Sequence, residues 1–327
     1  MTIDTCIIVK NEEKNIENLI NQLLIFSNEI HITDTGSTDN TINIINKYRE
    51  KYKNVFLHHF KWCMDFSKAR NYSFNCYKSK ADYIFWCDAD DELNEELIKS
   101  LQEFVKSNNK NDSIYEIKYK YSNDYTYTLY RSALLKISEK FIWKDPIHEY
   151  IIINTRQTRN YTLFDNGSLI IHKRINFKEN LDRNLEIFMN MEKTKYKFDA
   201  RNKFLYAREL YNHKMYQQAT HYFIGCINAD EKNDMAKINS CIYLLLMDNK
   251  DSPDYFFKLF KEDIYRKDLF YYIGNYYFDR TKFKLARFYY ILCDKCEEPE
   301  EDILFNYDKS CLQKALNQID LIDQIYE

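Results

Sequence analysis

The 327-residue chain is poor in the residues that break regular structure: it has four glycines and three prolines. With so few glycines, each one marks a place where the backbone needs an unusual shape. No glycine precedes Gly36, so the first predicted strand is not followed by a glycine-rich loop. No apolar run is long enough to span a bilayer, and the start, MTIDTCIIVKNEEK, lacks the basic residues and long apolar stretch of a secretory signal. The nine cysteines are odd in number and form no regular framework, and Cys293 and Cys296 make one isolated CxxC with no second pair to complete a zinc site. Reduced thiols and a cytoplasmic location are the expectation. A strong excess of positive charge is also missing. The net charge of −3 excludes nucleic-acid binding driven by overall charge. The richness in Asn, Lys, Ile and Tyr fits A- and T-rich codons and describes a genome more than a fold.

What is present is enough for a packed core, with 45% hydrophobic residues, and enough length for two domains. Residues 3 to 9 (IDTCIIV) read as a buried strand, and Ile16, Leu19, Ile20, Leu23 and Leu24 recur at helical spacing behind it. EIHITD (29 to 34), NVFLHHF (54 to 60) and ADYIFWCD (81 to 88) are further strands. Helices are predicted over TINIINKYREKY, over residues 66 to 78 and over 94 to 107. Strands alternating with helices imply a mostly parallel, doubly wound α/β sheet. From residue 113 the pattern becomes polar and apolar in alternation, in SIYEIKYKY, YTYTLYRSALL, EYIIINTRQTRNYTLF and SLIIHKR, as in antiparallel strands. The predicted domains are 1–177, α/β with a β-rich extension, and 178–327, all helical.

The helical part repeats itself. YARELYNHKMYQQATHYFIGC (206 to 226) aligns with YIGNYYFDRTKFKLARFYYILC (272 to 293), setting Ala207 on Gly274, Tyr216 on Phe283, Ala219 on Ala286 and Cys226 on Cys293. The offset of 67 is close to twice 34, and CIYLLLMDNKDSPDYFFKLF (241 to 260) is a weaker copy between them. A period near 34 with small residues at tight contacts is the tetratricopeptide signature; a generic helical bundle is the plainer alternative.

Four polar clusters fall at the carboxyl ends of predicted strands, where open α/β sheets bind ligands. They are Lys10-Asn11-Glu12-Glu13, Asp34-Thr35-Gly36-Ser37, CMDFSKARN (63 to 71) and Asp88-Ala89-Asp90-Asp91. Each has a bland reading alone. Asn11 or Glu12 starts a helix, Thr38, Asp39 or Asp91 caps one, and Asp65 and Arg70 form a surface ion pair. In an extended segment Asp88 and Asp90 would share one face. Magnesium and manganese favour such carboxylate oxygens, completed by waters and phosphate.

Taken together, IIVKNEEKNIENLI (7 to 20), ITDTGSTDNT (32 to 41), DFSKARN (65 to 71), FWCDADDEL (85 to 93) and WKDPIHEY (143 to 150) resemble the family 2 glycosyltransferases, whose fold is GT-A. The subgroup with a tetratricopeptide tail is the most similar. The resemblance implies a nucleoside diphosphate sugar donor, with UDP-glucose or UDP-N-acetylglucosamine as the prior. It implies Mn2+ or Mg2+ as cofactor and a single in-line displacement that inverts the anomeric carbon. Residue by residue, it implies that Glu12 and Asp34 contact the donor, Asp34 at the base or ribose. Arg70 reaches the diphosphate, and Asp65 holds its loop. Asp88 touches ribose or metal, and Asp90 is the main metal ligand. Trp143 and Pro146 shape the sugar pocket beside His148, and Glu149 is the general base. A structural pairing of Glu149 with an arginine is its alternative. His172 ligates the metal or is structural; Lys173 and Arg174 neutralise the leaving diphosphate or are solvated. A sugar nucleotidyltransferase, the enzyme rival, would carry a glycine-rich first loop. An inactive scaffold would have lost an acidic position. The acceptor is a protein, peptide or glycan, and the tail serves acceptor recognition or a homodimer, with no nucleic acid or transmembrane segment involved.

Overall fold

The computed structural model describes residues 1–76, 78–107, 112–121, 124–153, 161–173, 177–297 and 307–326. Contacts divide the chain into two compact units, Met1–Arg183 and Asn184–Glu327. No helix among the described residues is long and apolar enough to cross a membrane.

In the first unit β1 (Ile3–Val9), β2 (Glu29–Asp34), β3 (Val55–His59) and β4 (Tyr83–Trp86) are parallel neighbours in the order β3-β2-β1-β4. Helices α1 (Ile16–Leu23), α2 (Thr41–Lys51) and α3 (Phe66–Asn75) make the crossovers that parallel strands require. Helix α1 forms because Ile16, Leu19, Ile20 and Leu23 repeat at 3–4-residue spacing, and all four are fully buried. Burying each such side chain contributes about 1.5–3 kcal/mol relative to leaving it in water. They pack with Ile7, Ile30, Ile32 and Phe85 of the strands and with Leu97, Leu101 and Phe104 of α4 (Glu95–Lys106).

Beyond β4 the sheet continues and changes sense. Strand β7 (Asp124–Lys136) runs antiparallel to β4, with Phe85 opposite Leu134, and antiparallel to β6 (Ile114–Tyr121). Strand β10 (Tyr161–His172) then joins β6 in parallel, and β5 (Asp91–Leu93) closes the edge against β10. The full order is β3-β2-β1-β4-β7-β6-β10-β5. The sheet is therefore mixed, and the β-rich extension is part of it. Alternation predicted antiparallel pairing for β10, which is met against β5 and not against β6; alternation encodes which face is buried but not strand direction, and a long connection can return a strand in either sense.

A separate hairpin, β8 (Phe141–Lys144) with β9 (Tyr150–Ile153), carries Trp143 into a small core with Trp86, Ile114 and Leu135. Asn71 of α3 holds it like a neighbouring strand: its amide accepts from Trp143 N at 2.9 Å and donates to Trp143 O at 2.9 Å.

The second unit is helical. Helix α5 (Phe177–Lys193) starts before its boundary. Three helix pairs follow: α6 (Ala200–Asn212) with α7 (Tyr216–Ile227), α8 (Asp234–Leu246) with α9 (Ser252–Lys261), and α10 (Lys267–Phe278) with α11 (Phe283–Lys295). Helix α12 (Cys311–Tyr326) packs on α10 and α11. The first helices start at Ala200, Asp234 and Lys267, which is 34 and 33 residues apart. The aligned small residues sit at closest approach: Ala207, Ala219 and Ala286 are fully buried, and a Cβ on Gly274 would lie 2.3 Å from the Tyr290 ring.

Candidate functional site

The loops after β1 and β2 are laced together. Asn11 takes a left-handed conformation (φ 57°), and its side chain accepts from Thr38 N at 2.7 Å. Glu12 N donates to Thr41 Oγ1, and Asp39 accepts from Thr41 N at the start of α2. Asp34 accepts from Gly36 N at 2.9 Å and Ser37 N at 3.1 Å, which the φ of +109° at Gly36 makes possible. Asp34 is thus buried and engaged in its own turn. Asp65 caps α3, accepting from Lys68 N at 2.9 Å, and pairs with Lys68. Arg70 is its partner in neither contact.

Arg70 is instead the centre of a buried network. Only 7% of it is exposed. Its Nε donates to Glu149 Oε1 at 2.7 Å and its terminal nitrogen to Asp88 Oδ1 at 2.6 Å. The guanidinium lies against the rings of both Trp86 and Trp143, 4.7 and 5.0 Å from their centroids, where cation–π attraction fixes it. Trp143 is buried, and its ring also meets Phe74 and Trp86 edge-on. The loop carrying His148 and Glu149 is a left-handed turn, with φ of 68° at Asp145 and 51° at His148. Pro146 O accepts from Phe66 N at the start of α3, which ties that loop to Arg70's helix.

The Asp88–Asp91 stretch is a turn and not an extended segment: Asp91 N donates to Asp88 O, and Asp88 N to Asp91 Oδ2 at 2.8 Å. The reason is Asp91. Its side chain is buried and folds the backbone back on itself. It is not a helix cap; Asn94 caps α4 by accepting from Leu97 N. Arg131, from β7, donates to Asp91 Oδ2 at 2.7 Å and to Asp88 Oδ2 at 2.9 Å. Its guanidinium lies 3.8 Å from the Tyr119 ring centroid and 4.7 Å from that of Trp86. Nothing in the sequence marks Arg131: it occupies a polar position in an alternating strand, where a solvated side chain is the default. His172, at the end of β10, places Nδ1 2.9 Å from Asp91 Oδ1 and 3.4 Å from Asp90 Oδ1. Lys173 pairs with Glu92. Arg174 lies outside the described residues.

The charges are unevenly matched. Burial alone would raise the Asp88 carboxyl, but Arg131 and Arg70 outweigh it and hold Asp88 well below the carboxylate range. Among the described residues no arginine pairs with Asp90. Burial, with Asp88, Asp91 and Glu12 nearby, pushes its carboxyl up to about 7 against the pull of His172. Burial also raises Glu12. For His172 burial lowers the ring's affinity for a proton, yet Asp91 and Asp90 raise it overall. Atoms of Asp88, Asp90, Asp91 and His172 lie within 4.8 Å of one another, close enough to share one ion. The donor set of carboxylates with one imidazole suits a divalent cation, and Asp90, which has only His172 against it among the described residues, is the group that needs one.

A family model described as Glycosyl transferase family 2 matches residues 4–185. Over 89 residues the chain is 37% identical to the SPbeta prophage-derived glycosyltransferase SunS of Bacillus subtilis (strain 168), a match covering 27% of this chain and 20% of that protein. The glycosyltransferase SunS of Bacillus phage SPbeta matches with the same figures, so the likeness spans one fifth of these relatives' length. Among solved structures, S. aureus TarS 1-349 in complex with UDP is similar at a TM-score of 0.44 and 13% identity, over 94% of this chain and 97% of that one. The mannosyltransferase PcManGT from Pyrobaculum calidifontis, in complex with GDP-Man and Mn2+, is similar at 0.38 and 9%, over 77% and 82%.

Proposed function

Because the chain belongs to glycosyl transferase family 2, we propose that this sheet edge binds a nucleoside diphosphate sugar with a divalent ion and passes the sugar, with inversion, to a protein or glycan acceptor. The observation that carries the metal-dependent reading is Asp90. A half-buried carboxyl that Arg70 and Arg131 do not reach, beside an imidazole and two further carboxylates, is an expensive arrangement unless a cation joins it. Mn2+ or Mg2+ would be held by Asp90 and His172 and would offset the charge that grows on the departing diphosphate. UDP is the commonest nucleotide for this motif pattern, so UDP-glucose or UDP-N-acetylglucosamine is the donor proposed.

The chain's own groups supply the rest. Asp34 and Glu12, on the laced loops, face the nucleoside. Arg70 is held in a fixed plane by two tryptophans and adds positive charge beside the diphosphate. Glu149 has one oxygen on Arg70 Nε. Its other oxygen takes the proton from the acceptor hydroxyl as that oxygen bonds to the anomeric carbon. The bond from that carbon to the diphosphate oxygen breaks, and its electron pair leaves with the diphosphate. The arginine contact orients the carboxylate.

The helical unit, with its 33–34-residue steps, is read as tetratricopeptide-like, a form that offers an extended surface to a peptide acceptor or a second copy. The described cysteines are all free thiols, which fits a cytoplasmic enzyme.

The test is thermal stability with UDP, GDP, ADP and CDP, with and without Mn2+, on wild type and Asp90→Ala. A ligand at 100 times its dissociation constant adds about 2.7 kcal/mol. Stabilisation by UDP that needs both Mn2+ and Asp90 is the expected result. A shift with another nucleotide would replace the donor, and none with any would overturn the proposal.

A further inference from the structure

We propose that Arg131 is a positioning residue that keeps Asp88 and Asp91 off the metal, so that the protein presents only Asp90 and His172 to the ion and binds it well only with the donor diphosphate. The inference rests on the metal-dependent reading above.

Of the four side chains close enough to share an ion, two are already spent. Asp88 has Arg70 on Oδ1 and Arg131 on Oδ2. Asp91 has Arg131 and the Asp88 amide on Oδ2, and His172 on Oδ1. Arg131 spans both carboxylates with separate nitrogens, and a lysine has no second prong to do so. Its plane is set by Tyr119 on one contact and Trp86 on another, so the fork is fixed before any ligand arrives. Its strand also fixes it, because β7 is the hydrogen-bonded neighbour of β4, from whose end the aspartates project. A cation and this guanidinium compete for the same oxygens.

The consequence is a count of charges. Three carboxylates and an imidazole closing on one ion would form an all-protein cage, whose affinity rises with the number of charged ligands. Such a cage would hold the ion through every turnover and leave few positions for phosphate oxygens. With Arg131 in place one carboxylate remains free, and the ion's remaining positions go to the diphosphate. The metal then binds with the donor and is free to leave with the nucleoside diphosphate.

The experiment is Mn2+ binding, read from the electron-spin resonance of free Mn2+, to folded wild type, Arg131→Met and Arg131→Lys, with and without UDP. Arg131→Met should bind Mn2+ without nucleotide at least about tenfold more tightly than wild type, because Asp88 Oδ2 and Asp91 Oδ2 lose the guanidinium that competes with the ion for them. The tightening that UDP confers should shrink. Arg131→Lys should fall between them. An arginine that served only to hold the fold would give the opposite sign, with weaker Mn2+ binding in Arg131→Met. If Arg131→Met does not fold, Asp88→Asn with Arg131→Met removes one carboxylate with its counter-charge and is compared with Asp88→Asn alone; the double variant should bind Mn2+ more tightly, through Asp91. Equal or weaker binding in the folded variants, with wild type responding to UDP, overturns this inference alone. Failure of wild type to bind Mn2+ even with UDP overturns the metal-dependent reading itself.

Discussion

Replacing Asp90 by asparagine should stabilise the metal-free protein at alkaline pH while abolishing its response to metal. The carboxyl is moved from its ordinary 3.8 to about 7, first by burial and then by Asp88, Asp91 and Glu12. A raised carboxyl means that the folded state keeps a proton the unfolded chain has released. The associated stability is present in full below about pH 4 and is lost as pH rises to about 7. At about 1.4 kcal/mol per pH unit, the span from 3.8 to about 7 amounts to about 4 kcal/mol at most. Asparagine has the same shape and no charge, so the variant escapes that cost. For a domain of this size each kcal/mol moves the melting temperature by about 2–4 °C. The assay is thermal unfolding by circular dichroism from pH 5 to 8.5, in a chelator and then in Mn2+. In chelator Asp90→Asn should melt above wild type at pH 8, and the gap should close towards pH 5. In Mn2+ wild type should rise and the variant should not, which reverses their order. A wild type that outlasts Asp90→Asn in chelator at pH 8 would refute the reasoning, because the charge would already be compensated within the protein.

Other outcomes are as specific. Glu149→Gln should retain donor binding within a few-fold and lose about 10²–10⁴ in kcat, the usual worth of a general base; an active variant in a UDP-release assay would leave Glu149 only as Arg70's partner. Gly36→Ala has free space for its methyl but must adopt φ +109°, a cost of about 1–3 kcal/mol. It should weaken UDP binding measured by calorimetry, because Asp34 would lose the Gly36 amide. Gly274→Ala drives a methyl to 2.3 Å from the Tyr290 ring, and overpacking of this kind costs about 1–3 kcal/mol. Its melting temperature should fall, and Tyr290→Leu in the same chain should restore part of the loss.

Much of the fold was legible in the sequence, because local rules govern it. The apolar spacing of Ile16, Leu19, Ile20 and Leu23 could make only one buried helix face, and these side chains do line the core. The offset of 67 residues returned as helix starts at Ala200 and Lys267 and at Tyr216 and Phe283. The parallel pairing of β10 with β6 was not legible, since alternation is blind to strand direction. The turn at Asp88–Asp91 was not legible either. A DAD motif suggests an extended strand end until Asp91 is seen bending back to its own backbone.

The charge network of the site was hidden for a further reason: its members are brought together by sheet order. Asp88 is 43 residues from Arg131, and Asp91 is 81 from His172. Each pairing depends on a strand being inserted at a particular place, β7 beside β4 and β10 beside β5. No motif records those insertions. The sequence shows an acidic cluster that needs positive charge, and either a metal or an arginine would satisfy it. In the folded protein both answers apply, to different carboxylates. Asp88 and Asp91 are answered from within the chain by Arg70, Arg131 and His172, and Asp90 is left for the ion. On that division the acidic residues of the motif are not interchangeable. Asparagine at Asp88 or Asp91 should destabilise the fold by removing a carboxylate partner of a buried arginine, and asparagine at Asp90 alone should not. Unfolding curves of the three variants in chelator are a direct comparison, and equal losses at all three positions would remove the distinction.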